Sequence, residues 1–242
     1  MTALPAAILF DLDETILSFG SRRQILQEVI EQFPDAFAGV DPAAASQEME
    51  TAFRAFWGDE TRHAIWRQNL AAGRVLAVQE GFARLAARAP GLTDDFAQQF
   101  GTRFHHYRED QARFFPGALE TLEALHQAGV RLALVTNGAA EPQRAKVDRF
   151  DLARRFHHVQ IEGEAGFGKP KPQAYLHAMT ALGVEAHQTW MVGDNLEWEV
   201  AAPQRLGIFS IWHDHLGEGL PPGSPVRPDR IIRAIAELKP RP

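Results

Sequence analysis

At 242 residues, with 45% hydrophobic and 23% charged side chains, the chain has the composition of a soluble globular protein, either one large domain or a core with an inserted module. A formal net charge of -6 gives no support for a nucleic-acid polymer as partner, which would call for a basic stripe. There is no cysteine, which excludes disulfides, thiolate metal sites and a cysteine nucleophile.

The first residues carry no basic segment ahead of an apolar run, and no run reaches the length of a membrane span, so a cytoplasmic protein with no membrane partner is expected. Ala6 to Phe10 reads as a short buried strand that breaks abruptly into Asp11-Leu12-Asp13-Glu14-Thr15. Asp11 and Asp13 lie two apart, so both carboxylates can point the same way while Leu12 turns back into the core. Two like charges that close call for a cation, although an acidic turn after a strand has the same spelling.

From Ser18 to about Phe115 the pattern reads as helical throughout. Ile25, Leu26, Val29, Ile30 and Phe33 form one apolar stripe, and Phe53, Phe56 and Trp57 another. Segments Val75 to Ala89 and Phe96 to Tyr107 continue it, with breaks at Pro34, Gly39 to Pro42, Gly58-Asp59 and Pro90-Gly91. A helical module over 18–112 inside a core made of 1–17 and 113–242 is therefore predicted.

After Pro116-Gly117 strands alternate with helices. Leu119, Leu122 and Leu125 mark a helix stopped by Gly129, and Arg131 to Val135 is a strand ending in Thr136-Asn137-Gly138. A helix from Glu141 to Phe150, a strand from His158 to Ile161, a Gly- and Pro-rich loop, and a helix from Pro172 to Leu182 follow. Thr189 to Val192 is a strand ending in Gly193-Asp194, a helix runs on to about Leu206, Ile208 to Trp212 is a strand, and Asp229 to Leu238 reads as a closing helix. The fold class is α/β: a doubly wound, mainly parallel, Rossmann-like sheet with an inserted α-helical module.

Ligands of such sheets bind at the carboxyl ends of the strands. Three of those ends carry Asp11 and Asp13, Thr136 and Asn137, and Asp194, and Lys169 lies in the loop after another. Hydroxyl, amide and ammonium donors suit phosphate oxygens, and clustered carboxylates suit a hard cation that keeps waters, above all Mg2+.

The four stretches Asp11 to Thr15, Thr136 to Gly138, Lys169-Pro170, and Gly193-Asp194 with Glu199 occur in the order of the motifs of haloacid dehalogenase-like hydrolases. The chain resembles that family, and within it the helical-cap phosphatases of the nucleotidase and N-acylneuraminate-phosphatase branch. The resemblance implies Asp11 as the nucleophile that forms an aspartyl-phosphate, and Asp13 as the acid and base for leaving group and water. It also implies Thr136, Asn137 and Lys169 as the phosphate-binding residues, and Mg2+ held by Asp11, the Asp13 backbone carbonyl and Asp194. The chain departs from the common pattern at Glu14, where many members have Gly, at Lys171, where Asp is frequent, and at Glu199, where the acid is usually Asp. Glu199 has three readings: reaching the metal through water, orienting Lys169, or lying solvated on a helix.

Two other patterns compete for attention. Gly163 to Lys169 matches part of a nucleotide-binding P-loop, but Pro170 replaces the required Ser or Thr and removes an amide donor. His213-Asp214-His215 could hold a metal, against the plainer reading as a polar loop after the last strand. In the helical module Arg22, Arg23, Trp57, Arg62, His63, Trp66 and Arg67 could stack on or bind an anionic substrate, against bundle core and solvated face. The expected activity is Mg2+-dependent hydrolysis of a small phosphorylated metabolite by a monomer or homodimer. A phosphosugar mutase, a 2-haloacid dehalogenase and a non-enzymatic phosphate-binding regulator are the alternatives.

Overall fold

The computed structural model describes residues 4–240. The chain divides into two compact units: one runs to Ser18 and resumes at Arg113, and the other is Phe19–Ala112.

Strand β1 (Ala7–Phe10) is buried at every position. Ile8 and Phe10 join one apolar cluster and Ala7 and Leu9 another, so the two-residue period of the strand feeds a core on each face of the sheet. The chain leaves the sheet through a tight loop in which the Ile16 and Leu17 N–H groups both donate to the Leu12 carbonyl at 2.9 Å. Glu14, in this loop, has a φ of 58°, a left-handed conformation that costs a non-glycine residue roughly 1–2 kcal/mol. Strand β2 (Leu17–Ser18) then pairs antiparallel with β3 (Arg113–Phe114).

Between β2 and β3 stand α1 (Arg22–Ile30), α2 (Pro42–Gly58), α3 (Glu60–Trp66), α4 (Leu70–Leu85) and α5 (Asp94–Asp110). Each begins on a residue whose side chain accepts a backbone N–H of the first turn: Ser21, Asp41, Asp59, Asn69 and Thr93. Their apolar stripes meet in one cluster, in which Phe37, Phe82, Phe96 and Phe100 pack ring against ring. The expectation of helix all the way from Ser18 to Phe115 is corrected at both ends, where the backbone is extended and paired as β2 and β3.

The larger unit continues as α6 (Ala118–Gln127), β4 (Arg131–Thr136), α7 (Ala140–Arg149), β5 (His158–Ile161), α8 (Glu162–Ala165), α9 (Pro172–Leu182), β6 (Thr189–Gly193), β7 (Phe209–His213) and β8 (Arg230–Ile232). The strands form one parallel sheet in the order β5-β4-β1-β6-β7-β8. On one face Ala118, Leu122 and Leu125 of α6 and Val147 of α7 cover Ile8, Phe10, Leu132 and Val192; on the other Tyr175, Ala178 and Met179 of α9 cover Leu9, Ala133 and Met191. The doubly wound α/β class is thus as the sequence predicts.

Two segments differ from expectation. Asp229 to Leu238 is not a helix: Arg230–Ile232 adds a sixth strand beside β7, and only Ile235–Leu238 turns, as a single 3-10 element. After Asp194 the helix begins as wide π turns over Leu196–Ala201 and tightens only at Ala202–Gln204. Pro203 lies where a regular helix would need an N–H for the Glu199 carbonyl, which accounts for the wide turns before it. Among the described residues no helix is long and apolar enough to cross a membrane.

Candidate active site

Because β1 lies between β4 and β6, its carboxyl end is flanked by theirs, and the connections diverge to opposite sides at this point. Asp11 leaves β1 here, its N–H donating to the Val192 carbonyl at 3.0 Å. The Lys169 ammonium is fully buried and bridges two carboxylates: Nζ donates to Asp11 Oδ1 at 2.6 Å and lies 2.7 Å from Glu199 Oε1. Burial opposes the ammonium, but Asp11 and Glu199 outweigh it and raise the pKa above the ordinary lysine value. Burial also raises the Asp11 carboxyl, against the pull of Lys169, and pushes Glu199 up to about 7.

Glu199 is 1% exposed, which removes the solvated-helix reading; its contacts are those of a residue that orients Lys169. Its second oxygen accepts the Asn195 N–H at 2.9 Å. The glutamate lies so close over β6 that a Cβ on Gly193 would sit 2.0 Å from Glu199 Cγ, so only glycine fits before Asp194.

The lysine is fixed at its backbone as well as at its ammonium. Asn137 Nδ2 donates to the Lys169 carbonyl at 2.7 Å, and the Lys169 N–H donates to Asn137 Oδ1 at 2.8 Å. The next amide, Gly138 N–H, donates to the buried carboxylate of Glu162 at 3.0 Å. Gly168 fills the narrow space between these groups, since a Cβ there would meet both Asn137 Oδ1 and Glu162 Cδ at 2.5 Å. The Gly-x-x-x-x-Gly-Lys spelling therefore serves to bring Lys169 to Asp11.

Thr136 is buried, and its Oγ1 accepts from Gln143 Nε2 at 2.6 Å. Asp13 is held from α7: Lys146 Nζ donates to Oδ1 at 2.8 Å and Oδ2 at 2.7 Å, and Gln143 Nε2 to Oδ2 at 3.1 Å. Gln143, Lys146 and Glu162 do not figure among the residues predicted from sequence. The available signal was spacing: Gln143 and Lys146, three apart, share a face of the helix that opens directly after the Thr136 strand end.

Asp194 is raised well above the ordinary carboxylate range by burial, then by Asp11, Glu199 and Glu14, with Lys169 opposing. Asp11, Asp194 and Glu199 are three carboxylates around the single ammonium of Lys169, an excess of acid that suits a divalent cation. Among the described residues no three His, Cys, Asp or Glu side chains form a metal-holding group. Asp11 and Asp194 supply carboxylate oxygens, hard ligands of the kind that suit such a cation.

The other candidates have structural partners. His213 closes β7, 1% exposed, its Nδ1 donating to the Glu14 carbonyl at 3.1 Å and its ring edge-on to Phe115. Asp214 accepts the Glu218 and Gly219 N–H groups at 3.1 and 3.0 Å. The polar-loop reading of this stretch is thus corrected to a buried strand end followed by a capped turn. In the helical unit Arg22 pairs with Glu50, Arg23 with Gln47 and Arg62 with Glu80. Trp57 and Trp66 pack against Gly73, where a Cβ would meet them at 2.7 and 2.8 Å, and the Trp57 ring stands edge-on to His63. Arg67 closes the end of α3.

Comparison with known proteins identifies the family of the chain. A family model described as haloacid dehalogenase-like hydrolase matches residues 5–207. A phosphoserine phosphatase of Thermus thermophilus is 30% identical over 96% of this chain and 96% of its own. An N-acylneuraminate-9-phosphatase of Rattus norvegicus is 32% identical over 45% of this chain and 44% of its own. The HAD-hydrolase YfnB of Bacillus subtilis, solved bound to magnesium, superposes with a TM-score of 0.68 over 98% of this chain and 97% of its own, at 21% identity.

Proposed function

The chain belongs to the haloacid dehalogenase-like hydrolases, and from that premise we propose that it is a Mg2+-dependent phosphatase of a small phosphorylated metabolite. The observation that carries the reading is the buried Lys169 ammonium 2.6 Å from Asp11, with Asp13 two residues on. A lysine so placed keeps a buried carboxylate charged and offsets the repulsion between that carboxylate and an incoming phosphate.

Asp11 attacks phosphorus, the bond from phosphorus to the substrate oxygen breaks, and Asp13 gives its proton to the departing alkoxide. Water then attacks the aspartyl-phosphate, Asp13 takes the proton from it, and Asp11 leaves as a carboxylate with release of inorganic phosphate. Thr136, the Asn137 amide and Lys169 bind phosphate oxygens through both steps. Asp11, Asp194 and the Asp13 carbonyl would hold Mg2+, which supplies charge neutralisation at the phosphoryl group. Asp13 favours phosphate over halide chemistry, because expulsion of a halide needs no proton donor. We assign substrate choice to the helical unit, Phe19–Ala112.

A panel of phosphorylated metabolites, assayed with Mg2+ for released phosphate in the wild type and in Asp11→Asn, tests this. At least one substrate should be hydrolysed, with a loss of about three orders of magnitude or more in the nearly isosteric variant. Release of no phosphate from any of them, or equal turnover in the two proteins, would remove the proposal.

A further inference from the structure

The residues around Asp13 carry a second layer of organisation. Lys146 is 7% exposed, and its ammonium lies across both oxygens of Asp13 at 2.8 and 2.7 Å. A buried ammonium is costly unless its charge is met, so this contact fixes the lysine as firmly as the carboxylate. Gln143 adds a third hydrogen bond to Asp13, and the same nitrogen also donates to Thr136 Oγ1 at 2.6 Å and to the Asn137 carbonyl at 3.0 Å.

That carboxamide nitrogen has two hydrogens and three acceptors within reach. A rotation that strengthens its bond to one acceptor weakens another, so the settings of Asp13 and Thr136 are linked through one side chain. Thr136 Oγ1, accepting from Gln143, keeps its own hydrogen to donate, and the Asn137 carbonyl 3.4 Å away is a poor acceptor at that distance. The hydroxyl hydrogen is thereby left for a better acceptor, which a bound phosphate oxygen would be.

We propose that Lys146 and Gln143 are positioning residues: together they fix the Asp13 carboxylate, and Gln143 aligns it with the phosphate-binding hydroxyl of Thr136. This rests on the phosphatase reading, in which Asp13 moves a proton at the leaving oxygen. Without the grip from α7 the carboxylate samples its other rotamers, and a proton donor out of place is a poor one.

The test uses the full chain with Mg2+ and compares single-turnover rates for p-nitrophenyl phosphate, whose leaving group departs unaided, with those for an alkyl phosphate that the wild type accepts. Lys146→Met should lose between about tenfold and a hundredfold with the alkyl phosphate, only a few-fold with p-nitrophenyl phosphate, and little in KM. Lys146→Arg should recover most of the loss. Gln143→Leu should show the same bias between substrates and also raise KM for both, because Thr136 loses its orientation. Equal losses with the two substrates, or no recovery in Lys146→Arg, would overturn the assignment. If Lys146→Met does not fold, the substrate bias and KM of Gln143→Leu decide alone. An active wild type matched by its variants removes only the positioning roles, whereas a wild type inactive on every phosphate removes the phosphatase reading and this inference with it.

Discussion

Asn137 and Lys169 hold each other twice, the side chain of one closing a ring of two hydrogen bonds with the backbone of the other at 2.7 and 2.8 Å. The strand end that supplies Thr136 thus also sets where the Lys169 side chain begins its reach toward Asp11. Asn137→Ala removes both bonds and leaves a carbonyl and an N–H without these partners, at a cost of about 1–3 kcal/mol. The expected outcome is a lower urea midpoint together with a fall in kcat/KM of at least tenfold, on the order of what a misplaced charge costs. A destabilised variant with wild-type kcat/KM would mean that the ring serves stability alone.

Asp13 differs from Asp11 in what its loss should do. Asp13→Asn cannot protonate an alkoxide, so it should slow phospho-enzyme formation from an alkyl phosphate far more than from p-nitrophenyl phosphate. Nor can it deprotonate water, so hydroxylamine-sensitive phosphate should build up on Asp11 whenever formation outpaces breakdown. Identical losses with both substrates and no trapped phosphate at any time would reduce Asp13 to a structural carboxylate.

Three buried or partly buried carboxylates around one lysine predict dependence on a small hard cation. EDTA should abolish phosphate release, Mg2+ should restore it, and Ca2+, with its larger and looser shell, should inhibit. Full activity in chelator would show that Lys169 alone balances the acids.

His213 gives the fold a slope with pH. Burial, with His215 adding, lowers its pKa from 6.5 to about 4. As pH falls below about 6.5 the unfolded chain takes up a proton that the folded chain refuses, so this contribution is complete above pH 6.5 and is lost progressively toward pH 4. At about 1.4 kcal/mol per pKa unit the loss approaches roughly 3 kcal/mol. Urea midpoints at pH 7.5, 6 and 5 should fall more steeply for the wild type than for His213→Asn. Parallel curves would assign the acid sensitivity elsewhere.

The sheet was legible because burial on both faces writes continuous apolar runs: Ala7–Phe10 and Thr189–Gly193, buried at every position, fall where the residues place them. The last segment misled for a physical reason. Ile231, Ile232, Ile235 and Leu238 have the spacing of a helical stripe, yet the free edge of β7 captured Arg230–Ile232 as a strand. At the site, acids at strand ends were visible in the sequence because such residues have no business in a core. Lys146 and Gln143 were not, since a polar pair on a surface helix of an α/β protein looks the same whether it faces water or, as here, a carboxylate from the loop after β1.

The helical unit is joined to the sheet-bearing unit by a ribbon one pair of strands wide. Leu17 stands opposite Phe114 and Ser18 opposite Arg113, so the chain departs and returns through neighbouring positions about 5 Å apart. In topological terms the intervening helices are a detour: a short turn closing Ser18 onto Arg113 would leave every parallel strand in its place and order. The order β5-β4-β1-β6-β7-β8, and with it the strand ends that carry Asp11 and Asp194, is written entirely in the segments on either side of that ribbon.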